Sequence, residues 1–353
     1  MKIVMVLTKL RYGGAEKIFM WLASTLAKQG HEIIVFTYIA SDLKTLPYPI
    51  HWIQQDLVRA NYYTKYKAYK QIIRTYTPDC CISFQLETNI LNILACLSTS
   101  TKSIVCERCD PYKPHYYKLK LVKPLFRLAD GAVFQLEKAR MFYSMVKKPT
   151  AVIPNPAFQE FYFASIKPFH ERENIIVTLS RYDIFQKRQD ILIKAFHKFQ
   201  KQYSQFKLLI YGDGKDKHKI EKLIRKLGLQ DCVILAGYTD KVKEVIKRAK
   251  FFVLSSDFEG IPNALIEAMS VGIPCISTDC SPGGASLLIT DGVNGGLVPK
   301  GDINALYKKM CYFVKEWELT DKMGYEGQKI IKRFSEEKII DLWNGYLKRV
   351  VRG

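Results

Sequence analysis

Nowhere does the chain reach the roughly 18 consecutive apolar residues that a membrane-crossing helix needs, so no spanning segment is expected. The N-terminal apolar run Ile3-Val-Met-Val-Leu7 is too short for a secretory signal and breaks straight into Thr8-Lys9-Leu10-Arg11; a cytoplasmic protein is expected. Metal-binding patterns are also missing. Cys106-x-x-Cys109 has the right spacing, but no second such pair and no paired histidines follow to complete a zinc site. Asp110-Pro111 after it favours a turn over the helix that a thioredoxin-like pair would open. The nine cysteines are scattered, many in apolar runs such as Cys80-Cys81-Ile82, and read as reduced, buried thiols. Asp-x-Asp does not occur, so nothing signals a divalent metal on a diphosphate. Short-period repeats and low-complexity segments are lacking too.

Acid is scarce. Against 34 Asp+Glu stand 54 Lys+Arg, a formal net charge of +20 over 353 residues. Between Asp56 and Asp79 the chain carries Arg59, Lys65, Lys67, Lys70 and Arg74 with no acid. Between Asp110 and Asp130 it carries Lys113, Lys118, Lys120, Lys123 and Arg127, again with none. Such stretches imply an anionic partner: phosphate, nucleic acid or an anionic membrane surface.

Two runs of strand–helix alternation organise what is there. Ile3–Leu7 reads as a buried strand, Ala15–Lys28 as a helix with Ile18, Leu22 and Leu26 on one face, and Ile33–Phe36 as the next strand. Further strands are expected at 80–84, 103–106, 131–134 and 150–153. Pro154-Asn-Pro156 interrupts the alternation, and it restarts at Ile175–Leu179 with strands at 207–211, 233–235, 251–254 and 274–277. The expected architecture is α/β, with two doubly wound domains at 1–165 and 166–335. A terminal helix over 336–353 would return to brace the first domain.

Ligands of doubly wound sheets sit beyond the carboxyl ends of the strands. The loop after Leu179 carries Arg181 and Lys187, cations suited to a diphosphate; a solvated basic loop is the competing reading. Gly212 and Gly214 follow the next strand and allow close approach of backbone to a ligand. After the strand ending at Leu254 comes Ser255-Ser-Asp-Phe-Glu259-Gly260-Ile-Pro262, then a helix through Val271. Glu267 falls in that helix among Ala264, Leu265, Ala268 and Met269, where a carboxylate is costly without a partner such as a sugar hydroxyl. The plainer reading caps the helix with Glu259 and pairs Glu267 with a lysine.

Glu259 and Glu267 with seven residues between, together with Gly260, Pro262 and Gly272-x-Pro274, resemble the E-x7-E motif of family 4 retaining glycosyltransferases. The resemblance spans most of the chain and is strongest over 175–301. It implies the GT-B arrangement, two Rossmann-like domains facing a central cleft. By resemblance, Glu259 contacts the donor sugar and Glu267 the nucleotide ribose, while Arg181 and Lys187 hold the donor diphosphate. Gly13-Gly14 resembles the family's glycine loop after the first strand, and Asp279-Cys-Ser-Pro282-Gly283-Gly284 its donor-side turn. The resemblance implies no cofactor and no metal; the nucleotide sugar is a co-substrate. Two positions depart from the pattern. Lys187 is followed by Arg188 rather than glycine, and the place of a common first-domain histidine reads Glu107-Arg108-Cys-Asp110.

The reading is therefore a retaining glycosyltransferase. It moves a hexose or N-acetylhexosamine, expected from a UDP-sugar, to a glycan acceptor, expected to be lipid-linked, in bacterial surface polysaccharide or glycan assembly. In helical registers over 62–74 and 116–129, basic residues lie beside tyrosines and apolar residues. Lys65, Lys67, Lys70, Lys118, Lys120 and Lys123 are expected to meet an anionic membrane surface or a polyprenyl diphosphate, making the enzyme peripheral on the inner face of the cell membrane. A basic solvated face is the alternative. A nucleotide-sugar epimerase on the same scaffold is the nearest rival. A nucleic-acid-binding protein is the rival of another class, and no helix-turn-helix, zinc finger or ribonucleoprotein signature supports it.

Overall fold

A computed structural model describes residues 1–10, 13–41, 50–113, 122–163 and 165–352. The chain forms two compact units, Met1–Asn155 with Glu337–Gly353, and Pro156–Glu336.

In the first unit, β1 (Lys2–Leu7), β2 (Glu32–Thr37), β3 (His51–Gln54), β4 (Cys80–Phe84), β5 (Lys102–Glu107), β6 (Gly131–Phe134) and β7 (Thr150–Val152) form one sheet. Every pair is parallel, in the order β3-β2-β1-β4-β5-β6-β7. Parallel strands covered on both faces read as continuous apolar runs, and every residue of β4 is buried. The helix Gly14–Lys28 turns Ile18, Phe19, Leu22, Ala23 and Leu26 inward, and Gly30 lies just beyond it at φ +84°.

Asn61 starts the helix Tyr62–Tyr76 by accepting from the Thr64 amide at 2.9 Å. Only the later part of this helix packs: Tyr69, Ile72 and Ile73 are buried, while Tyr62 and Tyr63 are more than half exposed. Here the expected basic face needs correcting. Lys65 pairs with Glu87 at 2.7 Å, and Lys70 donates to the carbonyls of Ala95 and Leu97 at 2.7 and 2.9 Å. Those carbonyls end the neighbouring helix Leu86–Cys96, and a lysine there satisfies what the helix leaves open. Lys67 remains exposed, its ammonium 4.5 Å from the ring centre of Tyr63. Lys118 and Lys120 lie outside the described residues. The helix expected over 116–129 appears, where described, as a 3-10 turn at Lys123–Leu128 that buries Phe126.

The last helix, Glu336–Arg352, belongs to the first unit. Its Trp343 ring stacks on Phe84 at 6.4 Å, and its Tyr346 hydroxyl donates to the Pro149 carbonyl at 3.0 Å.

In the second unit, β8 (Glu173–Leu179), β9 (Lys207–Tyr211), β10 (Val233–Gly237), β11 (Ala249–Leu254), β12 (Cys275–Thr278) and β13 (Gly296–Val298) form a parallel sheet ordered β10-β9-β8-β11-β12-β13. Residues 156–163, expected at the end of the first domain, group here instead. Phe158 and Phe161 are buried, Ala157 bridges to Ser335, and the Gln328 side chain donates to the Phe163 carbonyl at 2.8 Å. Below them the buried Arg172 guanidinium meets Asp321 at 2.6 Å. Among the described residues no helix is long and apolar enough to cross a membrane.

Candidate active site

The order of the second sheet reverses between β8 and β11: from β8 the chain runs outward through β9 and β10, then returns to β11 on the other side. At such a switch point the loops leaving two neighbouring strands diverge and leave a crevice at their carboxyl ends. Arg181 and Lys187 follow β8, and Glu259 follows β11.

The loop after β8 is held from both ends. Tyr182 is buried, its hydroxyl donating to the Ile210 carbonyl at 2.9 Å. The short helix Ile184–Lys187 begins on Asp183, whose side chain accepts from the Gln186 amide, while Asp216 accepts from the Ile184 amide at 3.0 Å. This places Lys187 against Glu259, nitrogen to oxygen at 2.5 Å, with little solvent around either side chain. The Glu259 carboxylate also accepts from the Ser256 hydroxyl at 2.7 Å and from the Gln186 side-chain amide at 3.4 Å. Three donors from two loops therefore fix one carboxylate. The plainer reading of Glu259 as a helix cap does not hold, because Pro262 occupies the N-cap of Asn263–Val271 and no side chain caps it. Arg181 stays exposed, with a single long contact to the Gln186 side chain at 3.5 Å.

Arg188 explains its own departure from the glycine pattern. Its backbone sits at φ +50°, ψ +43°, the left-handed region that glycine enters without cost and other residues enter at about 1 kcal/mol or more. The side chain compensates by bonding Asp190 at 3.0 Å and Asp257 at 2.6 Å, carboxylates that hold its pKa above the ordinary range. Both acids tie it to the protein.

Gly212 and Gly214 also have a role that spacing did not show. A Cβ on Gly212 would strike the Ser180 carbonyl, and one on Gly214 the backbone of Tyr182. The close approach they allow is to the chain's own loop, which they seat. On the β12 side, the Glu259 amide donates to the Ser281 carbonyl at 2.8 Å and the Ser281 amide to the Asp257 carbonyl at 3.1 Å. Gly283 precedes the short helix Gly284–Leu288 at φ +113°. A Cβ on Gly284 would be driven into the Gly260 carbonyl, with the Pro262 ring 3.1 Å away. Gly284→Ala is therefore expected to cost about 1–3 kcal/mol of stability by overpacking two backbones. Thermal unfolding reads this directly, and an unchanged melting temperature would mean that the two loops can part freely.

Glu267 lies half-buried in the helix Asn263–Val271, beyond its first turn. In the first unit, Gly13 is the exposed N-cap of Gly14–Lys28 and makes no side-chain cap. The Cys-x-x-Cys pair is split by the end of β5: Cys106 is buried in the strand, its thiol pushed up to about 12 by burial, whereas Cys109 lies in the loop beyond it and is exposed.

The profile of the family described as "Glycosyl transferases group 1" matches residues 162–330, which contain this site. An uncharacterized glycosyltransferase of Methanocaldococcus jannaschii is 30% identical over 293 residues, covering 76% of this chain and 68% of its own. The Campylobacter jejuni "GalNAc-alpha-(1->4)-GalNAc-alpha-(1->3)-diNAcBac-PP-undecaprenol alpha-1,4-N-acetyl-D-galactosaminyltransferase" is 26% identical, with 97% of both chains covered. Among solved structures, Anabaena HepE in complex with UDP and glucose superposes at a TM-score of 0.83 with 18% identity over 99% of both chains. The lipopolysaccharide outer core galactosyltransferase WaaB gives 0.76 with 22% identity over 98% of this chain and 99% of its own. These two likenesses show the GT-B fold. With the family profile on the site and a relative at 30% identity over most of its length, the chain belongs to the group 1 glycosyl transferases and is a hexosyltransferase.

Proposed function

We propose that the enzyme is a retaining glycosyltransferase that moves a hexose or N-acetylhexosamine from a UDP-sugar to a lipid-linked glycan at the inner face of a bacterial membrane. The observation that carries this reading is the meeting of Lys187 and Glu259 at the switch point, with Arg181 exposed on the same loop. The UDP and glucose of the Anabaena structure and the undecaprenol-linked substrate named for the Campylobacter relative support the choice of donor and acceptor.

In this reading Glu259, kept in place by Lys187, Ser256 and Gln186, accepts hydrogen bonds from donor-sugar hydroxyls. Glu267 takes the ribose, and the Gly260–Pro262 and Gly283–Gly284 backbones line the donor. As the anomeric carbon leaves the diphosphate oxygen, negative charge grows on that oxygen, and Arg181 and Lys187 are placed to balance it. The acceptor hydroxyl oxygen bonds the anomeric carbon on the face the diphosphate leaves. Its proton passes to the departing diphosphate oxygen, so the configuration is kept. In this reading Arg181 and Lys187 supply the charge that a divalent metal supplies elsewhere. The membrane-facing surface in this reading is carried by Tyr62, Tyr63 and Lys67 rather than by Lys65 and Lys70, which are engaged within the unit.

The test is product analysis by mass spectrometry and NMR, with a panel of UDP-sugars and extracted lipid-linked glycans in excess EDTA. The expected result is transfer from one UDP-sugar with the anomeric configuration retained and no loss on chelation. An inverted product, or activity lost to EDTA and restored by magnesium or manganese, would overturn the reading.

A further inference from the structure

The first unit also reverses its strand order, between β1 and β4, and an arginine stands one strand away from that point. Arg108 follows the last residue of β5. Its guanidinium lies over the ring of Phe84, the last residue of β4, at 4.8 Å from the centroid. One of its terminal nitrogens, Nη2, donates to Asn155 Oδ1, and the same oxygen accepts from the Gln135 side chain at 2.7 Å. Asn155 and Gln135 are themselves buried, so the end of the guanidinium is fixed by groups that do not move easily. Trp343 stacks on Phe84 and backs the ring that carries the charge.

What the guanidinium lacks is an anion. Its Nε is buried with no hydrogen-bond partner, and Nη1 bonds no described residue. Neither acid beside it in sequence forms an ion pair with it. Glu107 accepts from the Tyr143 hydroxyl at 2.7 Å and the Cys109 amide at 3.0 Å, and Asp110 accepts from the Tyr112 amide at 2.8 Å. Among the described residues no carboxylate pairs with Arg108. Burial lowers its pKa to about 10, which still leaves it charged near neutrality. A cation withdrawn from water without a counter-ion is costly unless a ligand supplies one. Arginine stacked on an aromatic ring and tied at one nitrogen presents the rest of its fork in a fixed plane, a geometry that suits phosphate.

We propose that Arg108 is the receptor for a phosphate or diphosphate group of the acceptor, bound at the carboxyl ends of β4 and β5. This deepens the acceptor side of the proposed function and rests on it.

The experiment saturates the full-length protein with UDP and then titrates inorganic pyrophosphate by calorimetry, in wild type and in Arg108→Met, which keeps the stem over Phe84 and removes the charge. Wild type is expected to bind pyrophosphate, and the variant about 10- to 100-fold more weakly, the range for losing a charged hydrogen bond. Farnesyl diphosphate in detergent forms the second arm. Tighter Arg108-dependent binding than for pyrophosphate assigns the site to a lipid diphosphate; equal binding assigns it to the phosphoryl group alone. UDP affinity within about twofold of wild type shows that the variant is folded, and Arg108→Gln replaces it where it is not. Equal pyrophosphate binding in wild type and a folded variant overturns the proposal and makes Arg108 a structural stack. If wild type fails to bind UDP, the donor reading falls, and pyrophosphate titrated without UDP still decides the role of Arg108 by the same comparison.

Discussion

Replacing Lys187 by alanine is expected to lower kcat/KM for the nucleotide sugar by about 100- to 1,000-fold, the scale on which fixed charges at a leaving group act. The loss has two sources. One, in the proposed reading, is the missing cation on the diphosphate. The other is Glu259, which loses the one cation that pairs with it among the described residues and keeps Ser256 and Gln186 as donors. A carboxylate with so little solvent around it and no counter-charge will turn toward whatever cation is left; Arg188 beside it is engaged by Asp190 and Asp257, which leaves Arg181 on the same loop as the candidate. Lys187→Ala combined with Glu259→Gln should therefore cost much less than the sum of the two single changes, since the residues act as one unit. Steady-state kinetics of the two single variants and the double variant measure this. Turnover by Lys187→Ala within about threefold of wild type would remove the pair from the reaction.

Ending the chain after Glu336 is expected to unfold the first unit and leave the second folded. The removed helix buries Ile339, Ile340, Trp343, Tyr346, Leu347 and Val350. At about 1.5–3 kcal/mol for each large apolar side chain, the loss is on the order of 10 kcal/mol, an upper figure because unfolded chains already hide some surface. That equals the whole stability of an ordinary domain. The helix also leaves a template behind: Gly131 has no Cβ because one there would meet the Tyr346 hydroxyl, and the Arg349 guanidinium donates to the Thr150 carbonyl at 3.2 Å. Limited proteolysis with calorimetry should show rapid cleavage within 1–155 and one surviving transition. Two intact transitions in the shortened chain would mean that the helix is an ornament of the first unit.

The strands that sequence reasoning locates carry compact runs of apolar residues, such as Cys80–Phe84, buried throughout, and Lys207–Tyr211, where Leu208 and Ile210 are buried. His51–Gln54 escapes it because an edge strand is half-exposed, and His-Trp-Ile-Gln alternates too weakly to stand out from a loop. Gly296–Val298 is three residues long and opens on glycine, which brings no side chain to mark a buried face. In the site, the residue types and their order along the chain are legible, since cations and acids in strand–helix loops have few other reasons to cluster. The pairing of Lys187 with Glu259 is not, because 72 positions separate them and only the reversal of strand order brings their loops together. The same limit hides the partners of Lys65 and Lys70. Helical spacing says which share a face, but not that Glu87 and the carbonyls of Ala95 and Leu97 stand opposite.

The last helix sets a timetable for synthesis. The second unit is one continuous stretch, Pro156–Glu336, and has all its residues as soon as that stretch leaves the ribosome. The first unit is made first and finished last, because Trp343 and Tyr346 arrive only with the final helix. At about 5–20 residues per second, its β-sheet waits roughly 10–40 s with Phe84 uncovered and the β6 side of the sheet bare. Through that interval the nascent N-terminal half is the part a chaperone must shield, and the glycine at 131 marks the seat being kept for a helix not yet made.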